Sequence, residues 1–147
     1  MRLFIVVTFI LTFFFPCNLR ATDLIPLDKF ISENGTDDKA NSLYVFLRCA
    51  SQLTYVSMLM EGRNANKANM LLERSEKLLA VAGEFKAELT NVPLQKAMSL
   101  NFTAVQKLMK HQTDTGNENY LKTGSYFSKT DWSNIKICFK LVGASAE

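Results

Sequence analysis

From about Asn64 to Thr90, apolar or small residues recur every three or four positions: Ala68, Leu71, Ser75, Leu78, Ala82, Phe85 and Leu89. Spacings of three and four keep them on one side of a 3.6-residue helix, while Glu73, Lys77, Glu84 and Glu88 lie off that side. Leu72 and Leu79 widen the stripe. The segment reads as an amphipathic helix with one buried face. Glu73 and Lys77 add an exposed i,i+4 pair worth roughly 0.3 kcal/mol.

The rest of the chain follows the same period. Pro26 suits the first turn of a short helix ending near Ser32, because its missing N–H has no partner there anyway. "ENGTDD" is a turn, in which Thr36 or Asp37 can cap a second helix by accepting from its free N–H groups. That helix runs to about Glu61, where Gly62 offers a stop. Pro93 opens a fourth helix with Leu94, Met98, Phe102, Val105 and Met109 as its stripe, fraying in the polar run "HQTDTGNEN". A short helix is predicted near Tyr120. Asp131 then caps a last one carrying Trp132, Ile135, Cys138 and Leu141. The β-branched "NIKICFKLV" has no second strand to pair with, so it is read as helix too.

The segment Leu43–Met60 is different, with one charge, Arg48, in eighteen residues. At 100° per residue, Ser42, Phe46, Cys49, Ala50, Leu53, Val56, Ser57 and Met60 share one face. The opposite face carries Tyr44, Leu47, Arg48, Ser51, Tyr55, Met58 and Leu59, where a helix lying on the outside of a bundle would show Lys and Glu. A membrane span would place Arg48 in hydrocarbon at roughly 2.5–3.5 kcal/mol. A central helix covered on both sides accounts for the pattern. The alternative is a partner face of Tyr44, Leu47, Arg48, Tyr55 and Met58, since Tyr and Met around one Arg is interface-like composition.

The first residues change the picture of where the chain works. Arg2 precedes an apolar run from Leu3 to Phe15. As a helix that run spans about 20 Å against roughly 30 Å of hydrocarbon, so it reads as a cleaved secretion signal, residues 1–21, ending at Ala21. Phe15 and Pro16 before Cys17 argue against lipidation of that cysteine. Removing two arginines and no acid takes the +3 net charge to +1. That leaves no footprint for nucleic acid, which needs clustered cations. Residues 22–147 form one domain: a short helix and turn over 22–36, a main bundle over 37–142 and a loose tail over 143–147. Cys49 and Cys138 then remain and are expected to pair, as two cysteines of an exported chain usually do. Cys49 faces inward, so the bridge ties the chain's last helix to its first long one.

Candidate chemistry adds little. His111 is the one histidine; with Asp114 and Glu118 it offers too few ligands for a zinc site. Following Lys107 and Lys110, it reads as a cation near a helix C-terminus. "KTG" at Lys122–Gly124 and "SNIK" at Ser133–Lys136 stand in the reverse of the order in serine penicillin-recognising enzymes, with no S-D-N element. Met60, Met70, Met98 and Met109 are core-filling residues at helical spacing rather than cofactor ligands. Asn34-Gly-Thr36 and Asn101-Phe-Thr103 are glycosylation sequons; the first lies in a turn, the second on a helix as a poor acceptor.

The sequence therefore predicts an all-α bundle of four to five helices with one disulfide, secreted or periplasmic. It is expected to be a non-enzymatic binding or accessory protein, with a protein partner or a second copy and no cofactor. Membrane contact is expected only through the signal segment. The competing expectations are a small hydrolase or metal enzyme using His111, and a carrier of an apolar ligand.

Overall fold

A computed structural model describes residues 24–143. The segment 1–21 expected to be a secretion signal, with Cys17, and the tail residues 144–147 lie outside the described residues. Five helices follow one another: α1 (Leu27–Asn34), α2 (Lys39–Met60), α3 (Ala65–Thr90), α4 (Leu94–Thr123) and α5 (Lys129–Leu141), with no strand among the described residues.

The helix ends are set by local chemistry. Asp38, one residue beyond the expected Thr36 or Asp37, caps α2 by accepting from Asn41 N–H. Asn64 caps α3 by accepting from Lys67 N–H at 3.0 Å. α3 closes on Asn91, whose left-handed φ of 51° lets its N–H bond to Ala87 O. α5 begins at Ser128, not Asp131. Ser128 Oγ accepts from Asp131 N–H while the Asp131 carboxylate accepts from Ser128 N–H, so both free donors are satisfied reciprocally.

α2 is the centre of the bundle, in contact with each of the other four helices. Leu53, Cys49 and Ala50 of α2 are fully enclosed by Leu71 and Leu78 of α3, Val105 of α4, Ile135 and Phe139 of α5, and Leu27 of α1. Cys49 and Cys138 form the expected disulfide, with their Cα atoms 5.1 Å apart, joining α2 to α5. The α3 stripe is buried from Ala68 to Ala82, and Phe85 stacks on Phe46 at 5.7 Å. Its last member, Leu89, is exposed.

α4 departs from expectation in two ways. Its expected stripe is turned outward at its start: Leu94, Met98 and Phe102 are exposed, while Ala97, Asn101, Val105, Gln112 and Gly116 form the buried line. It also runs unbroken through "HQTDTGNEN", so the separate helix near Tyr120 is its last turn, and it stops at Gly124 with φ 75°. The physical reason is the same for both. The α2 surface facing α4 carries Ser51, Gln52 and the Tyr55 ring, which call for polar and small partners rather than aliphatic ones.

Candidate functional site

The second face of α2 is where most of the buried polar chemistry collects. Ser51 Oγ donates to Gln112 Oε1 at 2.9 Å, and Gln112 Nε2 donates to Gln52 Oε1 at 2.9 Å. Four residues on, the missing side chain of Gly116 makes room for the Tyr55 hydroxyl. Phe127, from the α4–α5 connection, meets the Tyr55 ring edge-on at 5.9 Å and Trp132 at 5.0 Å. The face proposed from sequence as a partner surface is thus largely internal. Arg48 and Tyr55 are each 4 % exposed, and Tyr44 and Leu47 are half-buried against the core, Tyr44 with its ring 4.2 Å from that of Phe30. Only Met58, 55 % exposed, points outward. The central-helix reading describes this face, of which Met58 alone is left open, because α1, α4 and α5 together cover what one neighbouring helix would leave exposed.

Burial raises the Tyr55 hydroxyl above the ordinary phenol range, and the nearby Tyr126 and Asp131 charges act in the same direction. A raised acid binds its proton more tightly folded than unfolded. Its contribution to stability is therefore complete below about pH 10 and lost as pH rises through the folded-state value. Urea unfolding between neutral and strongly alkaline pH is expected to show a decline that Tyr55→Phe lessens; an identical decline in both proteins would refute it.

Beside this network α1, α2, α4 and α5 enclose an open cleft of about 580 Å³. Leu24, Ile25 and Pro26 form one wall, Thr115 and Asn119 another, and Arg48, Gln52 and Gln112 its inner end. His111 lines the cleft, half-buried. It sits in the middle of α4, twelve residues before its end, so it is not the helix-terminal cation expected from sequence. Lys110 pairs with Asp114 at 2.6 Å, and Glu118 with Lys122 at 4.0 Å. Among the described residues no three His, Cys, Asp or Glu side chains converge on a point that would hold a metal.

The two sequons differ in access. Asn34 is exposed at the end of α1. Asn101 is 2 % exposed, and its amide nitrogen is buried without a hydrogen-bond partner among the described residues.

A second surface lies on the far side of α4. A Cβ on Gly83 of α3 would stand 2.8 Å from Met98 Cγ and 3.5 Å from Leu94, so the two helices approach closely there. Counting outward from that contact along antiparallel helices sets Leu79 level with Phe102 and Leu72 level with Met109. An apolar strip therefore follows the α3–α4 seam, with Leu72, Leu94, Met98 and Phe102 exposed and Phe102 the most open at 57 %. Gln95, Ser99, Thr103 and Gln106 lie along the α4 side of it, uncharged. Sequence reasoning missed the strip, because it counted Leu72, Leu94, Met98 and Phe102 as core.

α2 is the one described helix long and apolar enough to cross a membrane. It is also the helix the other four cover, and a core helix shares that length and composition. Comparison with protein-family models, with curated proteins and with solved structures finds no match for this chain.

Proposed function

We propose that this chain is an exported, non-enzymatic binding protein of an oxidising compartment, secreted or periplasmic, and that it meets a protein partner along the α3–α4 strip. The disulfide between Cys49 and Cys138 supports the compartment, since such bonds persist where thiols are not kept reduced. The signal-like composition of Arg2 to Phe15 points the same way. The observation that carries the binding role is the row Leu94, Met98 and Phe102. These are large side chains at i, i+4 and i+8 on one helix, left open along the seam with α3 and bordered on the α4 side by uncharged polar residues. Contiguous exposed apolar surface bordered by polar groups marks interaction sites, and depletion of charge at the centre is the composition of an interface core.

Met98→Lys with Phe102→Lys is expected to leave the helical signal intact and stability within about 1 kcal/mol, since both side chains are about half exposed and a Lys stem can cover the same surface with its ammonium in water. Affinity for the partner captured from the native compartment should fall roughly 30-fold or more if the row holds the interface hot spot. Sedimentation of the isolated chain shows whether that partner is a second copy. Equal capture by wild type and variant would remove the strip from the reading.

A further inference from the structure

The cleft holds a charge that no described residue neutralises. Arg48 is 4 % exposed, yet it forms no ion pair among the described residues. Its Nη1 donates to Ile25 O at 3.2 Å and to Tyr44 Oη at 2.6 Å, both neutral acceptors, and its guanidinium carbon stands 5.6 Å from the centre of the Tyr44 ring. Guanidinium stays protonated at any pH a protein survives and carries five N–H donors. Both of these guanidinium bonds run from Nη1, no described group accepts from Nε or Nη2, and Arg48 lines the cleft. A buried cation left with only neutral partners is costly, so such side chains are normally paired. Here Ile25 and Tyr44 hold one end of the guanidinium still while the other end remains free to donate.

We propose that Arg48 is the anchor for an anionic ligand in this cleft, and that the ligand is a small organic monocarboxylate. The planar fork of Nε and Nη2 matches a carboxylate through two parallel hydrogen bonds. Other charges around the cleft select the class. Asp131 and Glu118 line it and repel a doubly charged phosphate group. Asp131 is held there by Ser128, which donates from both N–H and Oγ, and Glu118 and Lys29 are exposed and paired with Lys122 and Glu33. The buried charge awaiting compensation is a single positive one. Leu24, Ile25 and Pro26 give the organic part an apolar wall, and Gln52 and Gln112, already bonded to each other, close the inner end. The volume, about 580 Å³, is that of a small-molecule site. This inference does not rest on the α3–α4 strip.

The test uses the disulfide-bonded chain and hexanoate as probe, with hexanol and inorganic phosphate as comparisons at matched ionic strength. Hexanoate is expected to shift the Arg48 Nε–H resonance saturably and to raise Tm by roughly 5 °C or more at saturation. Hexanol and phosphate should do neither. Arg48→Met, which keeps the unbranched stem and removes the guanidinium, should fold and lose the response to hexanoate. An unmoved Arg48 Nε–H resonance in the wild-type chain overturns the proposal whatever the variant does. So does an equal response in Arg48→Met. A response to hexanol as large as that to hexanoate overturns the anion anchor, and one to phosphate as large overturns the carboxylate. Met98→Lys with Phe102→Lys should leave hexanoate binding unchanged, which separates failure here from failure of the partner surface.

Discussion

Replacing Cys49 and Cys138 together by Ala is expected to lower stability by about 4 kcal/mol and Tm by roughly 10 °C or more. The two residues are 89 apart in sequence, so the bond removes much of the freedom of the unfolded chain. The chain-entropy treatment assigns a loop of that length about 4–5 kcal/mol, and native disulfides of small exported domains cost about 2–5 kcal/mol to remove. The folded state needs the bond for a local reason as well. α5 has only thirteen residues, and of these Asn134, Ile135, Cys138 and Phe139 are buried. Helices of that length are marginal without tertiary support. Urea unfolding of the oxidised wild type against Cys49→Ala/Cys138→Ala measures the difference directly. A loss below about 1 kcal/mol would mean that Ile135 and Phe139, with the Leu27 N–H to Asn134 Oδ1 bond at 2.9 Å, hold α5 without it.

Gly116→Ala is expected to destabilise by about 1–3 kcal/mol, although Ala is the better helix former by about 1 kcal/mol. The added Cβ would overlap the Tyr55 hydroxyl and stand 3.1 Å from the Tyr126 carbonyl oxygen. Neither yields easily. The carbonyl is backbone, and the Tyr55 ring is buried in the core face against Phe127. Removing the hydroxyl should recover part of the loss, so Gly116→Ala/Tyr55→Phe is expected to be more stable than the two single losses add up to. Coupling of about 0.5 kcal/mol or more between the sites would locate the strain at this contact. Strict additivity, or a stabilising Gly116→Ala, would mean that α4 shifts away from α2 at little cost.

These two sites differ in how far they could be read in advance. Cys49 could be placed on the inner face of α2 by helical phase, and the pairing followed because two cysteines remain once Cys17 is assigned to the signal segment. Gly116 could not. It stands in a run of Asp, Thr, Asn and Glu that looks like a loop, and the apolar content that usually announces a buried helix is missing. What makes residues 111–123 helical is a set of contacts with residues some sixty positions earlier: Gln112 with Ser51 and Gln52, and Gly116 with Tyr55. Each satisfied polar group is as acceptable inside as an aliphatic one, so a count of apolar positions underestimates such a helix. The same blindness turned α4 about its axis, placing Met98 and Phe102 inside and leaving Asn101 off the buried line. The cleft was equally hidden, because helical phase places Arg48 on the second face of α2 without showing which groups stand around it.

By itself, the order of residues determined the helical class, the span of α3, the breaks at Gly62 and Pro93, and the pairing of Cys49 with Cys138. The helical elements rest on interactions within a turn or on a periodicity that one segment carries alone, and the pairing on there being two cysteines left to join. Only the tertiary structure decided which side of α4 is inside, that α2 is covered on both faces, and that one guanidinium beside an open cleft has no counter-charge among the described residues. Those outcomes depend on which surfaces meet, and a side chain's environment belongs to its neighbours in space as much as to its place in the chain.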